Sequence, residues 1–115
     1  MEMCIERGKS LTDIQKEFNQ IYPFLKIELV DRKEPVKQVT GGRFEGTCYH
    51  VDISACRTVA DLENDFRTQL DLPIQVFRRA GNLWIETSLT HDWTLDQQNR
   101  EGELFSNLHA SLRKK

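Results

Sequence analysis

Cys48-x-His50, with Cys56 eight residues on and Asp52 between them, brings soft metal ligands and a nucleophile into one short stretch. Zinc takes four ligands at matched spacing, and three clustered candidates without a paired C-x-x-C fall short of that pattern. The expectation is no metal and no cofactor. A thiol–imidazole pair suits nucleophilic catalysis if a base lies within hydrogen-bond reach and a donor faces the oxyanion. In a strand Cys48 and His50 point the same way, so a small hydrolase or redox enzyme around Cys48, His50 and Asp52 is one reading. His91-Asp92 precedes Trp-Thr and reads as part of a helix cap rather than a catalytic pair. His109 reads as a surface residue. Thr40-Gly-Gly-Arg-Phe-Glu-Gly46 is glycine-rich but opens no helix, as a phosphate loop must.

A second group binds rather than reacts. Strand alternation places Lys26, Glu28, Val30, Arg32, Cys48, His50, Asp52, Gln75, Phe77, Arg79, Trp84 and Glu86 on one sheet face. Large aromatics on such a face mark an interaction surface. Phe77, Arg79, Trp84 and His50 are therefore the candidate binding residues, and no catalytic residue is assigned. Base stacking on Phe77 and Trp84 is the nucleic-acid alternative. The acidic residues on the same face argue against it, and burial of the aromatics under a folded-back C-terminal helix would remove both readings.

These residues depend on a helix–strand–strand unit, Thr58 to Ser88. Thr58 is the N-cap, with Asp61 three residues on. Val59, Leu62, Phe66 and Leu70 form one apolar stripe, and Pro73 ends the helix region. Ile74–Phe77 and Leu83–Glu86 flank a turn. Gly81-Asn82 fits a two-residue type II′ turn, which sets Arg79 opposite Trp84 and Phe77 opposite Glu86, and a three-residue loop with Gly81 in a bulge competes with it. The two-residue register lays the Arg79 guanidinium near the Trp84 ring.

The unit recurs. Leu11–Phe18 aligns with Val59–Phe66 at an offset of 48 residues, with Ser10 on Thr58 and Asp13 on Asp61. Ile27–Val30 falls on Ile74–Phe77. Helix one is expected from Leu11 to Tyr22, with Leu11, Ile14, Phe18 and Ile21 inward. Strand one covers Leu25–Arg32, and strand two Thr47–Ile53. Residues 1–9 read as a fraying extension, with Met3-Cys4-Ile5 a candidate edge strand. Lys33–Gly42 reads as a long loop. The expected fold is α+β, a single domain over 1–115 with an internal repeat (10–53 and 58–88). Two αββ units would form one four-stranded, mainly antiparallel sheet with both helices on one face. A β-grasp arrangement competes but uses only one main helix. A C-terminal helix over about 94–113 starts at a Thr94/Gln97 capping box. It carries Leu104, Phe105, Leu108 and Leu112 as its stripe, with Gly102 weakening its middle.

The totals agree with such a domain. The chain has 115 residues, 38% apolar and 30% charged, and a formal net charge of −2. That charge offers no field for nucleic acid or anionic lipid. No apolar run is long enough to span a bilayer, and no signal peptide is legible. Three unpaired cysteines, Cys4, Cys48 and Cys56, suit a reducing, cytoplasmic setting.

The run TVADLENDF…LPIQVFRRAGNLWIETSLTHDWTLDQQNREG resembles a group of small uncharacterised bacterial proteins sharing this unit and its DWTL-x-x-QN-x-x-G ending. The resemblance covers about 45 residues. It implies a structured bacterial domain, a helix–hairpin contact made by Trp93, Gln98 and Asn99, and no known activity. The functional expectation is a non-enzymatic interaction module that binds a protein partner, or a second copy of itself, through the open sheet face or a strand edge.

Overall fold

The computed structural model describes residues 1–30, 39 and 48–113. In order these form β1 (Glu2–Glu6), α1 (Leu11–Ile21), β2 (Leu25–Leu29), β3 (Cys48–Asp52), α2 (Val59–Leu70), β4 (Ile74–Ala80) and β5 (Leu83–Glu86). A single 3-10 turn (Ser88–Thr90) and α3 (Leu95–Arg113) follow. The chain is α+β, as the periodicities require. The expected loop Lys33–Gly42 lies outside the described residues except for Val39. Arg32, Thr47 and the side chain of Leu112 lie outside them as well.

Both early helices begin as their sequences dictate. The Ser10 hydroxyl accepts from the Asp13 N–H, and the Thr58 hydroxyl from the Asp61 N–H. Each bond satisfies a donor that the first helical turn leaves free. The stripe of α2, Val59, Leu62, Phe66 and Leu70, is wholly buried. On α1, Ile14 and Phe18 are buried, whereas Ile21, expected inward, is 37% exposed. Tyr22 takes that place: its ring packs on Phe18 at 5.4 Å, and its hydroxyl donates to the Ile53 carbonyl at 2.6 Å.

The single four-stranded sheet is not formed. The described residues form two antiparallel sheets, β1–β3 and β2–β4–β5. Side chains on α1 explain why the first hairpin does not close. Leu25 and Ile27 face Arg78 and Val76, and α1 occupies the outer side of β2. There Gln15 Nε2 donates to the Ile27 carbonyl at 2.8 Å and Asn19 Nδ2 to the Leu25 carbonyl at 2.9 Å. With those acceptors taken, β3 has no ladder to join on β2. It pairs instead with the N-terminal strand, Met3 opposite Val51 and Ile5 opposite Tyr49. These apolar pairs stabilise the ribbon from its inner side. Residues 2–6 are thus a strand rather than a frayed end.

One core serves both sheets. Met3, Ile5 and Val51 from the ribbon join Phe18, Phe66, Leu25, Ile27, Val76 and Leu95 in the same buried cluster. On β4, Glu63 Oε2 of α2 accepts from the Val76 N–H at 3.0 Å, and the Thr87 hydroxyl donates to the Val76 carbonyl at 2.8 Å.

The starts of α2 and α3 lock together. Val59 N–H donates to the Trp93 carbonyl and Ala60 N–H to that of His91, while Leu95 N–H donates to Arg57 and Asp96 N–H to Ala55. Each helix start is capped by the loop that leads into the other.

Candidate functional site

Pairing in the β1–β3 ribbon sets Cys4 opposite His50, Glu6 opposite Cys48 and Glu2 opposite Asp52. Alternation then gives this ribbon one apolar face, buried, and one face made of these six side chains. The Cys48 thiol lies 3.4 Å from His50 Nε2. One ligand atom each from Cys4, Cys48 and His50 lies within 4.8 Å of the others. Both thiols are half-buried and the imidazole is exposed. The hydrogen bond to the Cys48 thiol, burial, and the charges of Cys48 and Glu6 push the Cys4 thiol above its ordinary value, with Lys9 acting the other way. Lys9 Nζ donates to the Cys4 carbonyl at 2.9 Å and pairs with Glu17 at 2.8 Å. Along this side of β1 runs a cavity of about 590 Å³, lined by Cys4, Glu6, Lys9 and Glu17 among others.

Asp52 and Cys56, grouped with Cys48 and His50 by sequence, stand apart from this cluster. The Asp52 carboxylate accepts from the Ser54 N–H at 2.9 Å and from the Ser54 hydroxyl. Those bonds hold its carboxyl below the usual carboxylate range. Turned towards Ser54, it does not orient the imidazole, so no Cys–His–Asp relay is assembled. Cys56 is exposed in the loop before α2. Cys4 is the member sequence spacing missed. The alternation of Glu2-Met-Cys-Ile-Glu6 mirrors that of Cys48–Asp52, and that was the available signal.

The candidate binding residues divide between the sheets, with His50 on the ribbon and the others on β4 and β5. The second hairpin has the register its turn predicts: Phe77 opposite Glu86, Arg78 opposite Ile85, Arg79 opposite Trp84 and Ala80 opposite Leu83. Gly81 has φ +68°, and Asn82 is not among the positive-φ residues, as a type II′ turn requires. On the outer face, Arg79 Cζ stands 5.4 Å from the Trp84 ring, and Lys26 Nζ stands 5.0 Å from Trp84 and 5.6 Å from Phe77. Both aromatics are half-buried beneath these cations. The C-terminal helix does not cover them, because it packs on the opposite face. A Cβ on Gly102 would meet Phe24 Cβ at 2.9 Å and Arg78 Cγ at 3.1 Å, and Arg78 points away from Phe77.

The way α3 packs reverses another expectation. Its seam is Leu95, Gln98, Gly102, Ser106 and His109. Gln98, fully buried, donates to the Thr90 carbonyl at 2.7 Å and hydroxyl at 2.8 Å, and accepts from Arg78 at 2.9 Å. Asn99 Oδ1 accepts from the Phe24 N–H at 2.9 Å. The Arg78 guanidinium lies 5.6 Å from the Trp93 ring. Ser106 Oγ accepts from the Gly81 N–H at 3.3 Å. His109, expected on the surface, backs onto Gly81. Glycine and serine let the helix approach closely, and the larger apolar residues face water. Phe105 is 53% exposed and Leu108 58%. On β5 the helix-side residues Leu83 and Ile85 are also exposed, and Leu89 of the 3-10 turn is 96% exposed.

No protein-family model, curated protein or solved structure shows significant similarity to the chain. Among the described residues, no helix is long and apolar enough to cross a membrane.

Proposed function

We propose that the chain is a non-enzymatic interaction module that binds protein through the edge strand β5 and the exposed apolar residues of the turn and helix that follow it. One observation carries this reading. Leu83 and Ile85 are exposed on β5, which ends the sheet order β2–β4–β5 among the described residues, and Leu89, Phe105 and Leu108 are exposed on the 3-10 turn and α3 that follow it. An apolar edge strand left uncovered is a template for pairing with another strand. Strand addition would supply main-chain hydrogen bonds along β5, while Phe105 and Leu108 would receive the partner's apolar side chains. Two copies meeting β5 to β5 across a two-fold axis meet the same requirement. Arg79 and Lys26, on the other face, leave an acidic partner residue well placed over Trp84.

Two finer points belong to the same proposal. Gln15 and Glu63, equivalent at the offset of 48, each reach backbone of the β2–β4 pair, which supports descent of the two halves from one duplicated unit. A kinship with small bacterial proteins that share the DWTL ending, and a cytoplasmic setting, are part of the same proposal and rest on the sequence alone.

Light scattering across a concentration series tests the reading. The wild type is expected to self-associate, or to form a complex with a strand peptide of alternating apolar and acidic residues. Ile85→Lys with Phe105→Glu is expected to abolish both while leaving the thermal midpoint within a few degrees. A wild type that stays monomeric and ignores such peptides would remove the proposal.

A further inference from the structure

We infer that Cys4, Cys48 and His50 form a binding site for a soft divalent cation of the zinc class, on the outward face of the β1–β3 ribbon. The expectation of a metal-free protein weighed Cys48, His50 and Cys56, which do not converge. Strand pairing brings in Cys4, 44 residues from Cys48 in sequence, and excludes Cys56. The site belongs to a different sheet from the β5 edge and stands independently of the interaction reading.

The donor set is selective. Two thiolates and one imidazole are soft or borderline ligands, suited to Zn(II) and poorly suited to Mg(II) or Ca(II). Three ligand atoms mutually within 4.8 Å are spaced as donors converging on one ion of Zn–S about 2.3 Å and Zn–N about 2.0–2.1 Å are, after small rotamer changes. The backbone needs no change, because Cys4 and His50 are direct cross-strand partners and Cys48 lies one pleat along on the same face. Burial of Met3, Ile5 and Val51 behind the ribbon fixes the strands that carry the ligands.

Electrostatics act in the same direction. Glu2, Glu6 and Asp52 share the ligand face, and Glu17 lies across the neighbouring cavity; of the cations nearby, Lys9 is paired with Glu17, Arg7 lines the cavity, and Arg57 and the N-terminal ammonium lie near Asp52. The surroundings favour a cation over a second thiol proton. A tetrahedral ion would keep one position for water or for the carboxylate of Glu6, the cross-strand neighbour of Cys48. Binding replaces the two thiol protons with one metal ion, releasing two protons to solvent when the imidazole is already neutral.

Co(II) titration of the reduced full-length chain, followed by Zn(II) displacement, reads the site directly. One equivalent of Co(II) is expected to give the thiolate-to-cobalt charge-transfer band and the visible bands of a tetrahedral centre, both erased by Zn(II). Cys4→Ser, Cys48→Ser and His50→Asn are each expected to weaken binding about 100-fold or more, at or above the cost of losing even an outer partner. Cys56→Ser is expected to bind as the wild type does. Because binding releases two protons, the apparent affinity should rise with pH by up to about 100-fold per unit. Far-UV circular dichroism of the metal-free variants, matching the wild type, separates ligand loss from misfolding. Three results would each overturn the site: no charge-transfer band in the reduced protein, binding that survives Cys4→Ser, or binding that disappears in Cys56→Ser. Formation of a Cys4–Cys48 disulfide in place of metal uptake would overturn it too.

Discussion

The β1–β3 ribbon and the β4–β5 hairpin are both antiparallel pairs, yet they are made in opposite ways. The ribbon joins strands more than 40 residues apart, buries Met3, Ile5 and Val51 on one face with Tyr49 partly buried beside them, and gathers reactive side chains on the other. The hairpin closes through Gly81-Asn82, holds its aromatics under two cations and leaves Leu83 and Ile85 in water. A strand pair set by a local turn can hold its register without a fully covered face, because the turn fixes it. A pair made at long range has no such help. Its register must come from packing, so the ribbon needs Met3, Ile5, Tyr49 and Val51 inside.

That contrast predicts unequal costs for like substitutions. Ile5→Ala on the ribbon should destabilise by about 2–5 kcal/mol, since the side chain is fully buried. Leu83→Ala on the hairpin should stay within about 0.5 kcal/mol. Urea unfolding of the two variants measures both, and equal costs would erase the distinction.

The next effect asks what does hold the hairpin. Gly102→Ala removes a poor helix former, and propensity alone predicts a gain of up to about 1 kcal/mol. The structure predicts a loss of about 1–3 kcal/mol, because the added methyl meets Phe24 Cβ at 2.9 Å and the Arg79 carbonyl at 3.2 Å. A stabilised variant would show that α3 does not clamp β4.

The smallest effect lies at Val76 of β4, beyond the residues that pair with β5. Burial raises the Glu63 carboxyl above its ordinary value, against the Val76 N–H bond and the charges of His91 and Arg67. A carboxyl raised on folding contributes stability that is present below its unfolded pKa and lost as pH rises through its folded one. Glu63→Gln keeps an acceptor for Val76 and removes that loss. The variant's urea midpoint relative to the wild type should therefore rise as pH climbs above about 4, the ordinary glutamate range, and a constant difference would mean that burial does not raise the Glu63 carboxyl.

Sequence reading succeeded where chemistry is local. Ser10 and Thr58 cap as their side chains demand, α2 buries its whole stripe, and Gly81 takes the positive φ that fixes the hairpin register. It failed where a distant partner decides. Nothing near Leu25–Leu29 announces that Gln15 and Asn19 will occupy its outer carbonyls and turn β3 away. The partnership of Cys4 with Cys48 and His50 was hidden for the same reason. The face of α3 was misread for another: the stripe of large apolar residues is exposed, while packing uses Gly102, Ser106 and Gln98, whose value lies in close approach and hydrogen bonding.

The crossed helix starts have a consequence for hydrogen exchange. The amides of Val59 and Ala60 are protected by carbonyls of Trp93 and His91, and those of Leu95 and Asp96 by carbonyls of Arg57 and Ala55. First-turn amides of a helix ordinarily exchange early, through fraying that involves only a few residues. Here neither end can fray without exposing the other. All four protons should leave in one correlated opening, with a single free energy close to that of releasing α3 from the domain.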